Sequence, residues 1–123
     1  MKSRYLLLAG LLAVASTAQA GTVVCSGKVA ALSYHSPDNF MVQLDSMNKP
    51  VFFCSPDRLW TVSGTTYTTG PETCKTMYST FLSAQMAGKR IESLYLDGDG
   101  TPATCDSFPN WANYNVRHYS IVP

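Results

Sequence analysis

The sequence predicts a small, mainly β domain that contains one α-helix and is held together by disulfides. Three observations carry this prediction: the chain has 123 residues, it has four cysteines, and its β-rich segments are interrupted once by a helical pattern. A length of this order suits one domain. A composition of 46% hydrophobic and 14% charged residues is typical of a folded chain rather than a disordered one.

Residues 1–20 have the three-part layout of a secretory signal peptide. Lys2 and Arg4 supply the positive charge, a short apolar run follows, and residues 18–20 (Ala-Gln-Ala) form a small-x-small cleavage motif. We therefore expect a single mature domain over residues 21–123, exported to the bacterial periplasm or secreted. The apolar run is too short to span a bilayer, so no membrane span is predicted. The formal net charge of +1 becomes −1 in the mature chain, which argues against nucleic acid as a partner.

The four cysteines are Cys25, Cys54, Cys74 and Cys105. An even number in an oxidising compartment predicts two disulfides. Spacings of 29, 20 and 31 residues lack the close pairs of a zinc site, so no metal is predicted. Four cysteines allow three connectivities, which spacing does not distinguish. We favour Cys54–Cys74 with Cys25–Cys105, because the first joins a strand to the following helix and the second ties the two ends of the chain together.

Three strands are predicted before the helix. Residues 22–33 are rich in β-forming side chains, and Gly27 in their middle predicts a bulge or a sharp bend. Residues 40–45 alternate apolar and polar, and residues 51–54 (VFFC) form a short buried strand. Turn-forming residues separate these segments, and a long loop rich in Thr, Ser and Gly is predicted over residues 55–70.

The helix is predicted to begin at Pro71 and to end at Gly88. Proline suits the first helical position, and glycine suits the left-handed residue that follows a helix. Helical spacing places one set of side chains on a single face, and all but the last are apolar: Cys74, Met77, Tyr78, Phe81, Leu82 and Gln85.

Two more strands are predicted after the helix, over residues 91–96 and 111–122, with a turn at residues 97–100. Five strands with one helix between the third and the fourth is the layout of the OB-fold. The predicted fold class is therefore mainly β, a five-stranded OB-fold-like Greek-key barrel with one α-helix between strands 3 and 4 and two disulfides. An open α+β sheet with the same element order is the alternative.

The sequence favours binding over catalysis. It contains no nucleophile elbow, zinc-protease helix or phosphate-binding loop, so we expect neither an enzyme nor a cofactor. Aromatic rings in loops can stack on a sugar face or anchor a protein partner. Trp60 is expected to be exposed, whereas Trp111 is equally well explained as closing the end of the barrel. The Tyr34-His35-Ser36 segment could hydrogen-bond a ligand, although a solvated turn is the simpler interpretation.

About 45 residues resemble a known family. Residues 48–54 (NKPVFFC), the polar loop to Cys74 and the helix closing in AGKRI at residues 87–91 are similar to the middle of the B subunits of subtilase-cytotoxin and pertussis-like toxins. The resemblance implies a secreted OB-fold subunit with a Cys54–Cys74 bridge. It also implies a homopentamer, a toxin A subunit as partner, and sialylated or related glycans as ligands. The position of the family's sugar-contacting tyrosine, just after Arg-Ile, falls at Glu92 or Ser93 here, with Tyr95 nearby. The family's sugar-contacting serine has no match in this chain.

Two functional hypotheses follow. The first is a secreted, oligomeric glycan-binding module that resembles a toxin B subunit and recognises cell-surface carbohydrate without catalysis. The second is a monomeric periplasmic OB-fold protein that binds or inhibits another protein, or serves an envelope-stress role.

Overall fold

The computed structural model describes residues 20–123 and Gly10, so the predicted signal peptide lies almost wholly outside the described residues. Over these residues the chain forms strands and a helix with the bounds β1 Ala20–His35, β2 Asn39–Leu44, β3 Val51–Cys54, α1 Pro71–Ala87, β4 Arg90–Asp99 and β5 Asn115–Ile121. The predicted order of three strands, a helix and two strands is confirmed.

The strands form one antiparallel sheet in the order β3-β2-β1-β4-β5. The long strand β1 pairs with two strands: residues 29–35 pair with β2, and residues 20–28 pair with β4. The register with β4 shifts between Cys25 and Gly27. Gly27 has a φ of 147°, and a side chain there would overlap the Asp45 carboxylate. Glycine alone adopts such a conformation readily, so the predicted irregularity at Gly27 is confirmed.

The two ends of the sheet are hydrogen-bonded to each other. Phe52 of β3 forms an isolated parallel bridge with Asn113, which lies just before β5. The Phe52 N–H donates to the Ala112 carbonyl at 2.9 Å, and the Phe52 carbonyl accepts from the Tyr114 N–H at 3.0 Å. These bonds fix the segment that carries Trp111 against the edge of β3.

The helix packs one face against the sheet. Pro71 is its first residue, and Gly88 follows its end in the left-handed conformation at φ 65°, so both predicted ends are confirmed. Its buried side chains are Cys74, Met77, Phe81 and Ala84. Leu82 is exposed, because the buried face is turned toward Ala84, at the opposite border of the predicted apolar stripe. In the described part of the chain, no helix is long and apolar enough to cross a membrane.

Both predicted disulfides are present. Cys54, the last residue of β3, is bonded to Cys74 in α1, and Cys25 in β1 is bonded to Cys105 in the loop between β4 and β5. The favoured connectivity is therefore confirmed. The bridges close segments of very different length, since the paired cysteines are 20 and 80 residues apart in sequence.

Two predicted boundaries are wrong by three residues or more, and the other strand ends differ from the predicted ones by two residues at most. The chain does not turn at residue 97, because β4 continues to Asp99 and pairs there with Ala20. Distant ladder bonds thus extend the strand through an Asp-Gly sequence that locally favours a turn. The last strand begins at Asn115 rather than at Trp111, whose left-handed φ of 59° interrupts the extended chain.

Candidate functional site

Trp111 lies at the centre of an exposed aromatic cluster. The residue is 61% exposed, although it is one of only two tryptophans in the chain. Its positive φ is uncommon for a residue with a bulky side chain. Ala112 accepts a hydrogen bond from Phe52 and Tyr114 donates one to it, and these bonds, just after Trp111 in sequence, hold the segment in this conformation. A large apolar side chain that is held strained at the surface points to a binding role.

Two aromatic rings support Trp111. The Phe52 ring is stacked on it, with centroids 5.9 Å apart and planes 22° apart. The His35 ring meets Trp111 edge-on at 4.8 Å and also contacts Phe52 at 5.7 Å. Because Phe52 is buried, it forms the rigid backing of the cluster, while His35 and Trp111 remain accessible.

A small cavity of about 140 Å³ opens beside the Trp111 ring. The residues that line it with Trp111 are Met41, Lys49, Pro50 and Asn110. Met41 and Pro50 supply apolar wall, the Lys49 ammonium can donate hydrogen bonds, and the Asn110 amide can both donate and accept. We call Trp111, His35, Phe52 and these four cavity residues the Trp111 surface.

The structure brings the predicted segment Tyr34-His35-Ser36 next to this surface. The His35 Nδ1 lies 2.7 Å from the Ser36 carbonyl oxygen. Since a carbonyl can only accept, Nδ1 is the donor of this hydrogen bond, and Nε2 is the other polar atom of the ring. The exposed Tyr34 donates its hydroxyl proton to the Pro37 carbonyl at 2.6 Å. His35 therefore belongs to the Trp111 surface directly, and Tyr34 and Ser36 flank it.

The loop that carries Trp111 is anchored by long-range contacts. Cys105 ties its first half to Cys25. Further along, the Asn48 amide donates to the Phe108 carbonyl at 3.0 Å and accepts from the Phe108 N–H at 2.8 Å. The loop is thus held from both β1 and the β2–β3 connection, so the position of Trp111 is set by the fold rather than by local sequence.

Trp60 does not contribute to this surface, and its predicted exposure is wrong. The residue is 4% exposed, and its indole N–H donates to the Tyr114 carbonyl at 2.9 Å. Its main chain pairs with Thr69, and the Arg58 guanidinium covers the ring at 5.1 Å. The sequence neighbours Leu59 and Thr61 are exposed, while the indole turns inward to an acceptor 54 residues away.

Tyr95 lies in a different cluster. Its ring packs edge-on against His118 at 5.4 Å, and the Arg117 guanidinium lies over it at 5.2 Å. The structure therefore does not bring Tyr95 together with His35 and Trp111.

A second polar group forms around Asp97, at a position where the sequence pattern predicts a turn. Asp97 accepts hydrogen bonds from the Thr22 hydroxyl at 2.6 Å and from the Tyr67 hydroxyl at 2.7 Å, and it lies 3.4 Å from the Arg117 Nε. Burial, and then the hydrogen bond and the charge of Asp97, raise the pKa of Tyr67 well above its usual value. Three strands and one loop supply these groups, so no local sequence signal could have found them.

Over residues 20–123, no cluster of three or more His, Cys, Asp or Glu side chains is arranged to hold a metal ion. No family model, curated protein or solved structure matches this chain.

Proposed function

We propose that this protein is a non-catalytic carbohydrate-binding module that holds a glycan on the Trp111 surface. The observation that carries the proposal is the exposed Trp111 ring, backed by Phe52 and next to a small cavity with polar groups at its rim. The C–H face of a sugar ring packs well on an indole face, and its hydroxyls both donate and accept hydrogen bonds. Asn110, Lys49 and the His35 Nε2 supply matching groups around the ring.

We infer that the sheet closes into an OB-fold-like barrel. The shared strand β1 and the hydrogen bonds between Phe52 and the segment before β5 support this closure. In OB-folds, the face of strands 2 and 3 and the loops β1–β2 and β4–β5 bind oligosaccharides or oligonucleotides. Here His35 ends β1 at the first of these loops, Phe52 lies on β3, and Trp111 lies in the β4–β5 loop.

Charge and disulfides support the remaining parts of the proposal. Two disulfides suit a chain exported to the periplasm or secreted after removal of residues 1–20. A mature net charge of −1 disfavours nucleic acid, which requires a basic groove beside the aromatic rings. The resemblance to toxin B subunits extends the proposal to a homopentameric ring that carries an A subunit to cell-surface glycans.

A glycan array probed with the mature chain, residues 21–123, tests the proposal. Bound glycans are then titrated by calorimetry against Trp111→Ala and a control, Leu59→Ala, which removes another exposed apolar side chain. We expect Trp111→Ala to weaken binding more than tenfold, as loss of a central aromatic contact does, and Leu59→Ala to bind like the wild type. Absence of any bound glycan, or equal affinity of the two variants, would contradict the proposal.

One observation favours a second candidate, a monomeric periplasmic protein that binds or inhibits another protein. The cavity beside Trp111, at about 140 Å³, is smaller than the roughly 300–1,000 Å³ of common ligand pockets. Its size suits a single side chain of a protein partner. Light scattering of the mature chain separates the candidates, because a monomer without any signal on the glycan array supports this second function.

A further inference from the structure

A second cavity lies near the beginning of β1, whereas His35 of the Trp111 surface is the last residue of that strand. Its volume is about 270 Å³. Thr22 of β1, Asp97 of β4 and Arg117 of β5 form one part of its wall, and Thr66 and Tyr67 of the loop before α1 form another. The groups around Asp97 therefore face an open space that is large enough for a small polar ligand.

Asp97 determines how the hydroxyl groups of this cavity can bond. Its side chain is only 10% exposed, and its two carboxylate oxygens accept hydrogen bonds from the Thr22 and Tyr67 hydroxyls. Because each hydroxyl has a single O–H donor and uses it in the bond to Asp97, the Thr22 and Tyr67 oxygens can only accept hydrogen bonds from a ligand. Burial, and then the hydrogen bond and the charge of Asp97, raise the pKa of Tyr67 and keep that hydroxyl protonated.

Arg117 supplies the complementary donors. Its Nε faces Asp97, its side chain is about half exposed, and its guanidinium rests on the Tyr95 ring. The contact with Asp97 does not use the terminal amino groups, which can donate to a ligand oxygen. Acceptors and donors therefore stand side by side on the wall, which matches adjacent hydroxyl groups, since each hydroxyl both donates and accepts.

The charge of the cavity favours a neutral ligand. Asp97 and Arg117 offset each other within the ion pair. The other residues of the wall carry no formal charge, and the Asp99 carboxylate beside Gly64 lines a neighbouring cavity instead. A neutral polar ligand therefore matches the wall, whereas a charged ligand would find no net counter-charge there.

We propose that this cavity is a second saccharide subsite, which holds adjacent hydroxyls of a neutral sugar between the Thr22 and Tyr67 oxygens and the Arg117 guanidinium. The subsite shares no residue with the Trp111 surface, so it does not rest on the function proposed above. One glycan with two binding sugars could contact this subsite with one sugar and the Trp111 surface with the other.

Nitrogen-15 NMR titration of the mature chain with methyl glycosides of glucose, galactose, mannose and fucose tests this proposal. At least one glycoside should shift the amide signals of Thr22, Thr66 and Tyr67. Thr22→Val removes one acceptor oxygen and keeps a β-branched side chain, so binding should weaken about three- to tenfold. The matched control is Thr68→Val, at an exposed position of the same loop as Tyr67.

Three results would overturn the proposal: no shift of these amides with any neutral glycoside, unchanged affinity in Thr22→Val, or tighter binding of the methyl glycoside of glucuronic acid than of glucose. If Thr22→Val is not folded, Tyr67→Phe provides the same comparison. Trp111→Ala should leave these shifts unchanged, which separates failure of this subsite from failure of the Trp111 surface.

Discussion

Replacement of Asn48 by alanine is expected to loosen the loop that carries Trp111. The Asn48 side chain makes two hydrogen bonds with the main chain of Phe108, at 2.8 and 3.0 Å. Phe108 is only 2% exposed, so water does not easily replace the lost partner. A hydrogen bond contributes about 0.5–1.5 kcal/mol net, and two of them predict that Asn48→Ala lowers the free energy of unfolding by roughly 1–3 kcal/mol.

Urea denaturation measures the global effect of this change, and hydrogen exchange of the Phe108 amide measures the local one. Because the Cys25–Cys105 bridge still tethers the loop, we expect faster exchange at Phe108 in a chain that remains folded. Asn113→Ala is the matched control, since it also replaces an asparagine by alanine, but at an exposed position in the β4–β5 loop that carries Trp111. A wild-type midpoint together with unchanged exchange at Phe108 would refute the assigned role of Asn48.

Three further changes probe the rest of the molecule. Gly27→Ala forces a side chain into the positive-φ bend and should lower the free energy of unfolding by about 1–3 kcal/mol in urea denaturation. Replacing Cys25 and Cys105 together by alanine opens a segment of 80 residues, and chain entropy predicts a loss of about 4.5 kcal/mol, measurable by the same method. Finally, the raised pKa of Tyr67 means that the folded chain keeps a proton which the unfolded chain loses above about pH 10. The stability of the wild type should therefore fall as pH rises beyond that value, with a smaller fall in Tyr67→Phe and the same pH dependence for both proteins below it.

Each of these three changes has a control variant or comparison protein. Gly70→Ala places a methyl group in open space and should leave the midpoint nearly unchanged, so an equal loss in both glycine variants would argue against strain at Gly27. Replacing Cys54 and Cys74 opens only 20 residues and should cost about 3.3 kcal/mol, so a greater loss there would contradict the chain-entropy argument. Equal alkaline destabilisation of wild type and Tyr67→Phe would show that Tyr67 does not carry the extra proton.

The elements of the fold could be predicted wherever local chemistry decides them. Pro71 and Gly88 mark the ends of the helix because their backbone preferences apply at single positions. The strand β3 is short and wholly apolar, and its predicted bounds are those observed. By contrast, β4 extends to Asp99 because its last residues pair with the beginning of β1. That pairing depends on residues far away in the chain, so the local Asp-Gly sequence could not predict it.

At the candidate site, too, local sequence does not decide the outcome, because burial of a side chain is a property of the whole fold. Trp60, between Leu59 and Thr61, and Trp111, between Asn110 and Ala112, both have one polar and one apolar neighbour and lie outside the five strands and the helix. The local sequence therefore gives no reason for one to be buried and the other exposed. Trp60 is buried because the Tyr114 carbonyl accepts its indole proton. The main chain just before that carbonyl is hydrogen-bonded to Phe52 of β3, and the same bonds hold the segment from which Trp111 faces outward. One set of backbone hydrogen bonds therefore makes one tryptophan part of the core and the other the centre of the proposed binding surface. Weakening these bonds should expose Trp60 and displace Trp111 together.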